Sequence, residues 1–219
     1  GVDLTLPVRD AGPKAFGLPS PAVAPVEFGA VSLSIDKGAT VNCSTIHVTP
    51  HGNGTHTECA GHVMEGSRGL EEVKRRNLLC SALAAVNGAR LRAGIAKALG
   101  DAADEGVKFD AIVVRTLPNE EDAKRTYDWS GKGAPYFTGE AMQVVLEYGV
   151  RHFVCDLPSV DREDDGGHLI AHKTFFFGPS RTPPPPSSPL PQSTITELAL
   201  IPNSVPDGVH ILHLNIAPI

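Results

Sequence analysis

The 219-residue chain predicts an α/β domain with at least some parallel strand pairing. Two apolar runs, residues 110–116 and 152–156, have the length and β-branched content of buried strands. Between them lies a helical stretch that Thr138 can cap and Gly149 can stop. Strand, helix and strand in that order imply a crossover, and so parallel neighbours. The length suits one sizeable domain able to bury roughly 70% of its unfolded surface.

The other elements follow in order. Residues 2–8 alternate loosely and read as a strand, and proline and glycine then dominate residues 12–26, the heart of an N-terminal arm spanning 1–30. Residues 31–34 and 40–48 are rich in Val, Thr and Ile and read as β. A short helix fits residues 69–76, a strand 82–91 and helical composition 95–104, while 194–200 and 209–216 read as late strands. Residues 179–191 hold seven of the chain's 19 prolines. Proline continues neither a ladder nor a helix, so the segment 179–192 is a stiff polyproline-like loop, lying on the surface or rimming a site.

Composition narrows the function classes. The net charge of −6 and the sequence pI near 5.8 leave no basic footprint for nucleic acid. No run approaches ~18 consecutive apolar residues, so no membrane span is expected, and no secretory signal is visible. Four cysteines without a CxxC pair suit a reduced, cytoplasmic protein.

Chemistry concentrates in the histidines. Four of nine (His47, His51, His56 and His62) fall within sixteen residues, where an even spread would place fewer than one. If the second half of this segment is extended, His56, Glu58, Ala60 and His62 share one face. Imidazole and carboxylate converging from one strand face are donors suited to zinc or manganese. Gly52 and Gly54 let the preceding backbone turn tightly and could return His51 to the same point. Farther on, His168 and His172 stand four apart, which on a helix would be one face. Glu197 interrupts the apolar run 194–200, and a buried carboxylate needs a partner, of which a metal is one. The bland alternatives are a polar turn with exposed histidines and an outward-facing Glu197. Cys59 is a weak candidate nucleophile, because alternation turns it away from His56 and Glu58.

The string Gly54-Thr-His-Thr-Glu-Cys-Ala-Gly-His62 resembles the signature H-x-G-T-H-x-D-x-P-x-H of the cyclase family, the kynurenine formamidase-like metal-dependent hydrolases. Residues 3–7, 112–116, 133–137 and 149–161 resemble that family's opening strand and middle, and His172 and Glu197 its late ligands. The resemblance implies a mixed sheet curled towards a barrel (swivelling β/β/α-like) with outer helices in one domain, 1–219. It implies one or two Zn²⁺ or Mn²⁺ ions held by His51, His56, Glu58, His172 and Glu197. It also implies His62 as a proton shuttle, with hydrolysis of a small amide, formamide, lactam, imide or lactone by a metal-bound hydroxide. Relatives suggest a homodimer or homotetramer, with the arm in the contacts.

Three departures mark a divergent branch. His51 lies five residues before His56 rather than four, Glu58 replaces aspartate, and Ala60 replaces proline. The displaced His51 leaves a rival reading open, a metal-poor protein that binds a small ligand without catalysis.

Overall fold

A run of β-branched and apolar residues on both faces demands cover on both faces, and strand β7 (Ala111–Leu117) shows the result. Ile112 and Val114 enter one core cluster while Val113 enters another. The computed structural model describes residues 1–66, 68–73, 78–87 and 108–215, together with Lys97, Gly100 and Gly106.

The element order begins with a largely exposed region: β1 (Ala22–Pro25), β2 (Glu27–Phe28), β3 (Val31–Ser32) and β4 (Ser44–His47). There β1 pairs with β4 and β2 with β3, both antiparallel. The one-turn helix α1 (Pro50–Asn53) leads into β5 (His56–Cys59), followed by β6 (Leu78–Asn87), β7 and the short helix α2 (Glu121–Lys124). Helix α3 (Gly139–Glu147), β8 (His152–Cys155), α4 (Ile170–Phe177), β9 (Thr194–Glu197) and β10 (Gly208–His213) complete it.

One six-stranded sheet, ordered β10-β6-β7-β8-β9-β5, organises the chain. Strands β6 to β9 run parallel, and an antiparallel strand closes each edge. Helices α3 and α4 pack together on one face. Their Met142, Val145, Phe175 and Phe176 meet Ile112, Val114, Phe153 and Ile195 of the sheet. The Thr138 hydroxyl accepts the Ala141 N–H at 3.3 Å, and Gly149 takes φ 75° where the helix ends, as its sequence predicts. The mixed α/β fold is therefore the one expected.

Several local expectations are corrected, and others fall outside the described residues. Residues 2–8 form no strand. The Leu6 N–H goes to the Thr55 hydroxyl at 2.7 Å, and Leu4 O accepts from Leu200 N at 2.8 Å, so a side chain and single bonds stand in for a ladder. Within 69–76 the described residues, 69–73, form only the 3-10 turn Leu70–Glu72, and residues 74–77 lie outside the described set. The strand expected at 82–91 begins at Leu78, and its last residues, 88–91, lie outside the described set. So does most of 95–104. β9 stops at Glu197, because Leu198 turns to φ 51°.

Phe153 joins the two layers. It is fully buried, with edge-on contacts to Phe137 at 4.9 Å and to Phe175 at 6.0 Å between ring centroids. Phe153→Ala should therefore cost about 3–5 kcal/mol of stability, read as a lower urea midpoint at unchanged slope.

Candidate metal centre

The pairing of β5 with β9 builds half of the site. Its register sets His56 opposite Glu197, with Glu58 two residues along on the same face. That face is the one covered by helices, since Ile195, of the same parity as Glu197, lies in the main core. Thr55 locks the entry to β5 by accepting from Leu6 N and donating to Leu198 O at 2.5 Å. His56, Glu58 and Glu197 are all buried.

His51 arrives from α1, which Pro50 starts. The helical turn absorbs the one-residue offset, and His51 Nδ1 sits 3.1 Å from His56 Nε2 and 3.5 Å from Glu58 Oε2. Gly52 and Gly54 serve a different purpose from the expected tight turn. A Cβ on Gly52 would crowd Leu18 and the Ala15 carbonyl, and one on Gly54 would meet Leu6 O at 2.9 Å. They are glycines so that the N-terminal arm can lie against them.

His172 comes down from α4, its Nε2 lying 2.6 Å from Glu58 Oε1 and 3.6 Å from Glu197 Oε1. Asp161, which sequence reasoning did not single out, holds it from behind. The Asp161 carboxylate accepts His172 Nδ1–H at 2.6 Å and the backbone N–H groups of Ala171 and His172 at 2.7 and 3.0 Å. It thus caps the first turn of α4 and fixes the imidazole tautomer in one contact. Asp161 ends a loop whose Val160 N–H donates to Glu197 Oε1 at 2.7 Å. Two separate donors to the site are therefore aimed by one loop. The only signal in the sequence is the string Leu157-Pro-Ser-Val-Asp161, which carries no spacing rule.

His62 reaches the site by an unexpected route. Extended structure ends at Cys59, and Ala60–Val63 is a 3-10 turn, so Ala60 and His62 do not continue the face of β5. The turn nevertheless places His62 Nε2 3.5 Å from Glu58 Oε2, with a third of its side chain exposed. His168 stands outside α4 and is exposed, so it shares no helix face with His172. Burial raises the Cys59 thiol above its ordinary pKa, which counts against a thiolate nucleophile.

The electrostatics ask for a cation. Burial, and then the neighbouring imidazoles, lower His51 to about 4, so it is neutral at pH 7. Against burial, the bond to Asp161 and the Glu58 and Glu197 carboxylates hold His172 well above its ordinary value. Glu58, for which burial acts upwards, is lowered by His172 and the other imidazoles. Against burial, the Glu197 carboxylate holds His56 above its ordinary value. His56 Nδ1 faces the Gly54 carbonyl at 3.0 Å, and a carbonyl can only accept, so Nδ1 carries the hydrogen and Nε2 is the nitrogen turned to the site.

Both oxygens of Glu58 and Nε2 of His172 are buried without a correctly aligned hydrogen-bond partner. Donor atoms of His51, His56, Glu58 and Glu197 lie within 4.8 Å of one another, as do those of Glu58, His62 and His172. Orphaned carboxylate and imidazole atoms gathered this closely fit a divalent ion. Glu58 belongs to both groups, so one carboxylate can serve two positions.

Comparison with known proteins bears on the family and the fold. A family model described as "Putative cyclase" matches residues 2–162. No curated protein sequence matches the chain significantly. Among solved structures, a "predicted metal-dependent hydrolase from Bacillus stearothermophilus" aligns at TM-score 0.53 and 19% identity, covering 95% of this chain and 85% of the other. A "potential metal-dependent hydrolase with cyclase activity" aligns at TM-score 0.53 and 17% identity, covering 95% and 86%. Isatin hydrolase A from Ralstonia solanacearum aligns at TM-score 0.51 and 11% identity, covering 94% and 81%. At these identities the structural likenesses speak for the fold, while the family model spans most of the sequence: the chain belongs to the cyclase family.

Proposed function

We propose that the chain is a metal-dependent hydrolase that cleaves a small amide, formamide, lactam, imide or lactone. The observation that carries this reading is the pair of buried groups without an aligned hydrogen bond, Glu58 and His172 Nε2, around which His51, His56 and Glu197 close. Zinc or manganese, one or two ions, would be held by these five residues. Such an ion supplies acidification of water, from a pKa of 15.7 to about 7, and polarisation of a carbonyl. The hydrolase descriptions of the structural likenesses support the reading at the level of reaction type.

The chain's own residues divide the remaining work. Glu58, shared between both donor groups, sets the spacing. Asp161 orients His172 and raises its basicity as a ligand. The partly exposed rings of His51 and His62, whose centroids are 4.4 Å apart, form the open side of the cluster, where a small substrate would enter. His62 is placed there to deliver a proton to the departing nitrogen or oxygen.

Elemental analysis should find at least one Zn or Mn per chain; below ~0.2 equivalents after metal-supplemented expression, the metal-poor binding reading would replace this one. His56→Ala should lose metal and thermal stability together. His62→Ala should keep both and lose about 10²–10⁴-fold in rate, least on aryl esters, whose leaving groups need no protonation. Equal metal loss in both variants would make His62 a ligand instead.

Removing the group behind His172 should act at a distance. Asp161→Ala should weaken metal binding by roughly 10–100-fold in chelator titration. Unchanged affinity would show that His172 holds its position unaided.

The assembly proposed is a homodimer or homotetramer with the arm in the contact. Val23 and Ile46, partners across β1 and β4, are 71% and 70% exposed. An isolated two-stranded ribbon is marginal in water, so this apolar pair needs cover. A Val23→Asp, Ile46→Asp double variant should shift the sedimenting mass down to a monomer. A native chain that already sediments as a monomer would remove the arm from any such role. Among the described residues no helix is long and apolar enough to cross a membrane.

A further inference from the structure

The hydrogen bonds of the proline-rich segment tie it to the rim of the site. Arg68 Nη1 donates to Pro186 O at 3.2 Å and to Ser188 O at 2.9 Å. The other side of the same guanidinium grips Glu72, with Nε to Oε1 at 3.0 Å and Nη2 to Oε2 at 2.6 Å. Gln192 then donates to Glu72 O at 3.3 Å. The far end of the proline segment is anchored, because Leu190 lies in the main core. Within it, Ser188 N–H closes a turn on Pro185 O at 2.8 Å.

The Arg68 backbone also lies against the turn that carries His62. The Gly61 backbone lies so close to the Arg68 carbonyl that any Cβ at Gly61 would collide with it. The turn Ala60–Val63 is also in contact with α4. The His62 side chain makes no aligned hydrogen bond among the described contacts: it approaches Glu58 at 3.5 Å and lies beside the rings of His51 and His172, at 4.4 and 5.6 Å between centroids. With no bond to fix the ring, its placement depends on the backbone on which it rides.

We propose that Arg68 is a positioning residue for His62, and that the proline-rich segment is the strut against which it braces. A guanidinium is planar and donates on two sides, so it can grip a carboxylate through two nitrogens while holding two carbonyls, which an ammonium with three donors on one atom cannot match. Proline suits the other half of the brace, since a chain with φ fixed near −65° presents its carbonyls at constant positions. The proposal rests on the assignment of His62 as the proton donor.

Amide hydrogen exchange on metal-loaded protein tests the brace without requiring a substrate. Arg68→Ala should speed exchange across residues 60–66 by about 10-fold or more, leaving 170–177 and 194–200 unchanged. Arg68→Lys should fall short of rescue, and Gly-Ser in place of Pro183–Pro186 should reproduce the loosening. Metal content should stay at the native level throughout. On formanilide as amide probe, kcat should fall roughly 10–100-fold with KM little changed, while 4-nitrophenyl acetate is affected less. Unchanged exchange in 60–66, or an increase spread over the whole chain, would overturn the proposal. So would loosening with an equal loss on both probes. Native protein that takes up no metal would instead sink the hydrolase reading and leave the exchange result standing on its own.

Discussion

A carboxylate sealed from water is the demand around which the site is arranged. Glu58 sits on an edge strand yet is buried, with both oxygens lacking an aligned donor. Taking such a charge out of water costs several kcal/mol unless other charges offset it. Three segments answer the demand, two flanking β5 and one far along the chain: α1 brings His51, the 3-10 turn brings His62, and α4 brings His172. None of them touches Glu58 because of its own propensity. They are held there by the β5–β9 pairing, the glycine contacts of the arm and the loop ending in Asp161.

That loop is where sheet and site are joined. It leaves β8 at Asp156, whose carboxylate is gripped by Lys124 Nζ at 2.6 Å and by the Thr116 N–H. Leu157 O then accepts from Leu198 N, Val160 O accepts from Phe137 N, and Val160 N–H fixes Glu197. The loop is thus bonded on both sides before it reaches Asp161, so it behaves as rigid scaffold although it has no regular structure.

How much of this the sequence discloses depends on whether the cause is local. His56 and Glu58 are legible because strand alternation has a period of two, and Glu197 because a carboxylate in an apolar run needs a reason. The crossover around α3 is legible for the same kind of reason, with cap, apolar face and stop all within a dozen residues. His51 is legible as a candidate because a turn is expected to return it, but the kind of turn, a helical one started by Pro50, is not. His62 lies on the expected side for an unexpected cause, the 3-10 turn that replaces the end of the strand. Asp161 and Arg68 are illegible because what they do is decided by residues far along the chain: Arg68 bonds carbonyls 118 and 120 positions away. The strand read into residues 2–8 fails because a threonine side chain stands where a ladder partner would.

Asp161 gives one side chain two employers. The same carboxylate terminates α4 and sets the basicity of the imidazole that faces Glu58. The positive end of the helix therefore steadies the charge that in turn tunes His172. A designer who wished to soften this ligand by lengthening or neutralising residue 161 would fray the helix that delivers it. A designer who re-capped the helix would retune the ligand. Sequence change at this position is thus confined by two requirements at once, and freedom to adjust the site lies on its open side, with His51 and His62.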